Sequence, residues 1–293
     1  MTLSPLARRL IAYPLAVAAA VSVWCYGFGE VEADLETLVG SASVRAGMAQ
    51  QMDASSPDGA ALRARLLAEA GDLAARAAAV DPEAALVLET QAFLSLLDGE
   101  ATEAARLYGA ARSASDCEAV HRDLLVLHEA KAWSNAGETG RALRLLSAAP
   151  PATLEAVALQ REALRVRILT RDSQRDEAIA VARALADQSW GTAAETAFEL
   201  LEAIGAWDAA EEALAKSRWQ RPVQDYFLAR LKLRSGHTDT AGSLLERSIG
   251  TGDQEVARQC RRDRDLWVAG IGAERLDRFM TPRAELATPP GAR

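Results

Sequence analysis

From Ala85 to Ser248 the apolar residues recur at three- and four-residue intervals, in pairs of stripes parted by a short polar turn. Five first stripes read "ALVLETQAFLSLLD", "DLLVLHEAKAWSNA", "VALQREALRVRILTRD", "TAAETAFELLEAI" and "VQDYFLARLKLRS". Their partners read "TEAARLYGAARSA", "TGRALRLLSAA", "RDEAIAVARALAD", "WDAAEEALAKS" and "TDTAGSLLERS". Each pair predicts two amphipathic helices joined by a turn of two to four residues. Such a pair cannot bury its apolar faces alone, so successive pairs must stack.

The turns share one grammar. Gly99 is followed five residues later by Ala104, Gly137 by Ala142, Ser173 by Ala178, Gly205 by Ala210 and Gly236 by Ala241. The turn positions lie 38, 36, 32 and 31 residues apart, the period of a helical-hairpin repeat. Glycine lets a helix end in the left-handed conformation, and alanine lets the paired helices approach closely. A small residue in the first helix, Ala92, Ala130 or Ala229, completes the packing set. On these residues the chain resembles the tetratricopeptide repeat family. Tyr108 and Ala111, Trp133, Leu146 and Ala149, and Leu245 match further positions of that pattern. Two copies depart from it, with Ser173 and Val166 in one and Phe198 in the other, while Trp207 restores the aromatic residue that often follows the turn. The resemblance implies an all-α, tetratricopeptide-like solenoid that binds protein or peptide partners; it names none.

Outside the repeats the pattern changes. Leu10 to Phe28 is an uncharged run of 19 residues; at about 1.5 Å per residue it covers roughly 28 Å, enough for one transmembrane helix. Arg8 and Arg9 precede it, whereas Glu30, Glu32, Asp34 and Glu36 follow it, which places the basic end in the cytoplasm and the body across the membrane. A cleaved signal peptide, with "VEA" at Val31 to Ala33 as its site, is the alternative, but the apolar run is longer than signal sequences use. The alanine- and arginine-rich usage points to a bacterial chain, hence an inner-membrane anchor and a periplasmic body. The expected boundaries are 1–9 cytoplasmic, 10–28 membrane-spanning, 29–56 stalk or linker helix, 57–252 repeat domain, 253–280 capping helix and 281–293 flexible tail. Within the second of these soluble parts, "ALRARLLAEAGDLAARAAAV" reads as a leading hairpin turning at Gly71 and Asp72, and Asp81 with Pro82 as the start of the next helix.

Composition narrows the function. With a formal charge of -8 and arginines interleaved with acids, the chain lacks the concentrated positive charge that nucleic acid requires. "CRRDRD", Cys260 to Asp265, reads as a solvated helix face. Cys25 lies in the apolar run, and the distant Cys117 and Cys260 read as buried, unpaired thiols.

The candidate chemistry is thin. Cys117, His121 and His128, with Asp116 and Asp123 nearby, make the best local metal set, yet the His121 to His128 interval cannot close a compact tetrahedron on one helix. His237 falls in an exposed turn, and the adjacent Glu211 and Glu212 point in different directions. No phosphate-cradling loop or nucleophile, base and acid set is visible, so neither an enzyme, a cofactor, a metal nor a small-molecule substrate is expected. Tyr108, Trp133, Trp207, Trp219 and Tyr226 are the aromatic candidates for partner contact, joined by Arg141, Arg144 and Arg165. The resulting expectation is a membrane-anchored scaffold that aids assembly or maturation of a periplasmic or envelope complex. A permanent structural subunit is the main alternative, and an enzyme with a concealed site the lesser one.

Overall fold

A computed structural model describes residues 34–280. The membrane-spanning segment expected at Leu10 to Phe28 and the tail 281–293 lie outside these residues. Among the described residues no helix is long and apolar enough to cross a membrane. They form fifteen helices and no strand. Two compact units meet in the chain between Thr90 and Gln91.

The first unit is built on α1 (Leu35–Gln51) and α2 (Pro57–Val80), which pack against each other. Asp34 is extended and its side chain accepts the Thr37 N–H at 2.8 Å, so α1 starts afresh at a capped end rather than prolonging an upstream helix. Alanines 42, 46 and 49 of α1 and 70, 74 and 77 of α2 are buried at one-turn spacings, a seam that lets the two backbones come close. Leu38, Val39, Ala77, Ala84 and Val87 close one end of it. Residues 35–51 are therefore half of a hairpin, not a lone stalk. The expected turn at Gly71 and Asp72 is absent: α2 runs unbroken through both, because glycine within an otherwise alanine- and leucine-rich segment costs only about 1 kcal/mol. The break falls instead at "DASSPDG", where Asp53 accepts the Ser55 N–H and Ser56 caps α2 ahead of Pro57. Asp81 accepts the Glu83 N–H, holding Pro82 in a turn, so the next helix, α3 (Ala85–Leu97), begins later than Pro82.

In the second unit the chain runs from the remainder of α3 through α4 (Ala101–Ser113). It continues through α5 (Ala119–Asn135) and α6 (Thr139–Ala148), α7 (Glu155–Arg171) and α8 (Arg175–Ala186), α9 (Ala193–Ile204) and α10 (Trp207–Lys216), and α11 (Arg221–Arg234) and α12 (Thr238–Ile249). Beyond each hairpin's own contact, α5 touches α7 and α7 touches α9, while α8 touches α10. First helices thus stack on first helices and second on second, the arrangement of a tetratricopeptide-like repeat.

All five joints share one geometry. Gly99, Gly137, Gly205 and Gly236 have φ between 76° and 88°, and Ser173 has φ 61°, so it alone among the described non-glycine residues is left-handed. In every copy the N–H of the following residue reaches back five positions, Glu100 to Ser95, Glu138 to Trp133, Gln174 to Leu169, Ala206 to Leu201 and His237 to Lys232, at 2.8–2.9 Å. This is the Schellman closure that satisfies a helix's last carbonyls. Five residues on, Ala104, Ala142, Ala178, Ala210 and Ala241 are each fully buried, as are Ala92, Ala130 and Ala229 in the first helices. Val166 and Phe198 are buried in their place in the two divergent copies.

The chain after Gly252 is three short helices, α13 (Gln254–Arg262), α14 (Arg264–Ile271) and α15 (Ala273–Met280), rather than the one expected. Asp263 and Gly272 interrupt them, the latter at φ 85°. Val256, Cys260, Trp267 and Leu276 from the three are buried in the core they share with α11 and α12.

Two stability experiments follow from the joint. Ser173→Gly relieves a left-handed side chain, about 1–2 kcal/mol, against glycine's extra freedom when unfolded, about 0.5–1 kcal/mol. A net gain of about 0.5–1 kcal/mol in urea denaturation is expected, and Gly137→Val should lose about 1–2 kcal/mol. Ala142→Trp overpacks a fully buried site; it should cost about 2–3 kcal/mol, read as a lower melting temperature by circular dichroism, and an unaltered melt would contradict its inward placement.

Candidate functional site

The expected contact residues do not assemble into one site. Tyr108, Trp133 and Tyr226 are buried and pack among the helices. Tyr108 meets the edge of His128 with ring centroids 5.3 Å apart. Trp133 donates its indole N–H to Glu129 at 3.3 Å, and the Arg141 guanidinium lies 3.6 Å above its ring, so that exposed cation is a lid on an aromatic rather than a free charge. Arg165 is half-buried beside Glu162 and Glu177 at 3.9 and 3.7 Å. Arg144 stays exposed on α6. The set was legible as aromatic and basic, but periodicity cannot tell a ring that fills a helix junction from one at its rim.

The two remaining tryptophans line the clefts of the second unit. Trp207, half-buried at the start of α10, borders a space of about 500 Å³ against Arg175, Ile179 and Arg183 of α8. Arg175 donates to the carbonyls of Ile204 and Gly205, tying the two second helices together at the joint. The larger cleft, about 630 Å³, lies among the first helices α9 and α11 and the start of α13. Trp219 and Phe227 form its apolar wall, stacked with centroids 4.2 Å apart, and Phe198 braces both edge-on at 5.7 and 5.5 Å. Glu199, Asp253, Glu255 and Gln259 are among its polar lining, together with Arg218.

Behind this cleft sits a feature that the sequence reading missed: acids and arginines inside the apolar stripes. Arg230 of α11 is buried between Glu202 of α9, its Nε donating at 2.9 Å, and Asp263, reached at 3.1 Å. The Tyr226 hydroxyl donates to the same Asp263 oxygen at 2.8 Å and accepts from the Trp267 indole at 3.2 Å. Burial opposes the charge of Arg230, but Glu202 and Asp263 outweigh it and hold its pKa above the ordinary value. Burial likewise pushes against the Asp263 carboxylate, yet the Tyr226 hydroxyl and Arg230 keep its pKa below normal. Burial also carries the Cys260 thiol up to about 12, so it is not a nucleophile. Two repeats earlier Arg161 pairs with Asp123 at 2.7 Å, both buried, and Asp123 also accepts the Thr153 N–H at 2.6 Å. Glu195 accepts the Arg218 N–H at 2.6 Å in the same manner. In both cases an acid near the start of one first helix holds the backbone leading into the next. The signal available was a charge interrupting each stripe.

Chemically these clefts offer aromatic faces, carboxylates and guanidinium groups fixed on rigid helices. Among the described residues no group of three or more histidine, cysteine, aspartate or glutamate side chains gathers at a metal-sized site. Cys117 is buried, with its Sγ directed at the Glu118 carbonyl, and Asp123 is committed to Arg161. His237 sits exposed beside the Ser235 hydroxyl at 3.1 Å.

No family model and no curated protein sequence matches the chain. Among solved structures it is similar to a tetratricopeptide repeat protein from Parabacteroides merdae, at 12% identity and a TM-score of 0.45, over 88% of this chain and 91% of that one. It is also similar to PilF of Pseudomonas aeruginosa, at 14% identity and a TM-score of 0.44, over 83% and 97%.

The buried ions make stability pH-dependent. Asp263 and Asp123 have pKa values lowered by folding, so their contribution is present above the ordinary carboxylate value near 4 and is lost as pH falls through the lower folded value. Urea stability should therefore decline below about pH 4, and Asp263→Asn should flatten that decline. At neutral pH Arg230→Ala removes the partner of buried Glu202 and half-buried Asp263 and should cost about 3–5 kcal/mol, where Arg144→Ala on the surface costs under about 0.5 kcal/mol.

Proposed function

We propose that the chain is a membrane-tethered scaffold that holds a protein partner during assembly or maturation of a periplasmic or envelope complex. The observation that carries this reading is the cleft of about 630 Å³ walled by Trp219 and Phe227 on the first-helix side of the last repeats. Its aromatic surface is held by edge contacts on Phe198 and so presents a large, pre-ordered contact area at little entropic cost. A stack of helical hairpins supports such clefts without moving parts, which suits holding a polypeptide rather than transforming a small substrate. The uncharged run at Leu10 to Phe28 supplies the tether in this reading, and Arg8 and Arg9 before it support a periplasmic position for the repeats. No catalytic, cofactor or metal role is assigned.

Deleting the chain should leave its client synthesised but immature, and a photo-crosslinking side chain at exposed Gln220, on the cleft's rim, should capture a short-lived complex with that client. Stable one-to-one co-purification with the finished complex would overturn the assembly role in favour of a permanent subunit. Removal of Leu10 to Phe28 should release the repeats from membranes; retention would remove the tether from the proposal.

A further inference from the structure

The larger cleft carries a charge pattern that specifies what it holds. Glu199 of α9 is exposed and pairs with no cation among the described residues. Asp253 accepts the Glu255 and Val256 N–H groups through a single carboxylate oxygen, Oδ1. Glu255 is half-buried and already engages Arg258 and the Gln259 amide. Against these three acids the lining contributes one cation, Arg218, whose guanidinium is bonded away to the Ser189 carbonyl at 3.2 Å. Gln259, also in the lining, donates its amide N–H to Glu255 at 2.9 Å and so draws on one of these carboxylates. The cleft therefore joins a stacked aromatic wall to an excess of carboxylates, a combination complementary to a cation with an apolar stem.

Resting on the protein-holding role above, we propose that this cleft binds an extended, basic segment of the partner polypeptide. An arginine or lysine stem lies along Trp219, and its cationic head reaches Glu199 and the free side of Asp253. The occupant is a polypeptide rather than nucleic acid because an acidic lining repels phosphates. It is basic rather than acidic because an incoming carboxylate would face three of its own kind.

The test uses full-length protein in detergent and fluorescein-labelled ten-residue peptides of glycine, serine and alanine that carry three spaced Arg, Lys, Gln or Glu residues, read by fluorescence anisotropy. The Arg and Lys peptides should bind, the Gln peptide about tenfold or more weaker, and the Glu peptide not at all. Glu199→Lys reverses an exposed charge with no structural partner and should weaken Arg-peptide binding on the order of tenfold. Asp98→Lys, the same change of net charge at an exposed position on the chain's far repeat, should alter it less than about twofold. Trp219→Leu should weaken it too, and the Glu199 variant keeps the test decisive if that one misfolds. Equal binding of the Gln or Glu peptides, or equal effects of Glu199→Lys and Asp98→Lys, would overturn the assignment. If no peptide binds while the Gln220 crosslinker still captures a client, the basic specificity fails and the holding role stands. If neither occurs, both fail.

Discussion

Everything in the second unit depends on one constraint, the left-handed residue that ends each first helix. Once Gly99, Gly137, Ser173, Gly205 or Gly236 adopts positive φ and the next N–H closes back over five residues, the direction of the second helix is set. The residue five places later then faces the first helix at a distance only alanine fits, and all five alanines are fully buried. Leucines and aromatics are displaced to the flanks of that contact, where they become the surface on which the next hairpin packs. Ser173 shows how strong the demand is: the joint keeps its geometry there even with a side chain that resists it.

The departures from the small-residue rule are where the molecule acquires individuality. At the position occupied by Ala92, Ala130 and Ala229, α9 carries Phe198, which cannot lie flat between close helices. It is accommodated by ring packing instead, edge-on to Trp219 and Phe227, and those two stack on each other. The cleft lies against this cluster. Buried ions do the complementary work of registry: Asp123 with Arg161, and Glu202 with Arg230 and Asp263, link one hairpin to the next through contacts that lose strength if the helices slide by a turn. Such pairs add little net stability over apolar packing, so their value here is in fixing the stack.

Much of this was written in the sequence in a readable form. The glycine-to-alanine interval located every joint, because backbone handedness and close approach each admit very few residue types. The period separated the helices. The failures share a cause. Gly71 looked like a turn because glycine permits one, yet nothing at that place required it, and the alanines on either side favour an unbroken helix paired with α1. The three closing helices were read as one because Asp263 and Gly272 interrupt a pattern too charged to show its breaks. Tyr108, Trp133 and Tyr226 looked like contact residues since ring chemistry is the same inside and out; only the neighbouring helix decides which way each is used. The buried Arg230 network was invisible because its members are 28 and 33 residues apart and meet only through stacking.

The form of the larger cleft bears on which kind of holding the proposed scaffold performs. Permanent subunits are joined through extensive, mostly apolar interfaces in which charge is sparse. Here the apolar wall is confined to Trp219, Val223 and Phe227, and the rest of the lining is carboxylate, amide and guanidinium. Attraction of that kind raises the rate of encounter more than it slows departure, and salt weakens it. A modest site of this sort becomes effective when its owner and its client share a surface, since tethering raises the local concentration without adding a contact. In the proposed reading, such a cleft on a stack tethered through Leu10 to Phe28 suits a protein that meets its client repeatedly and releases it better than one built into the finished complex.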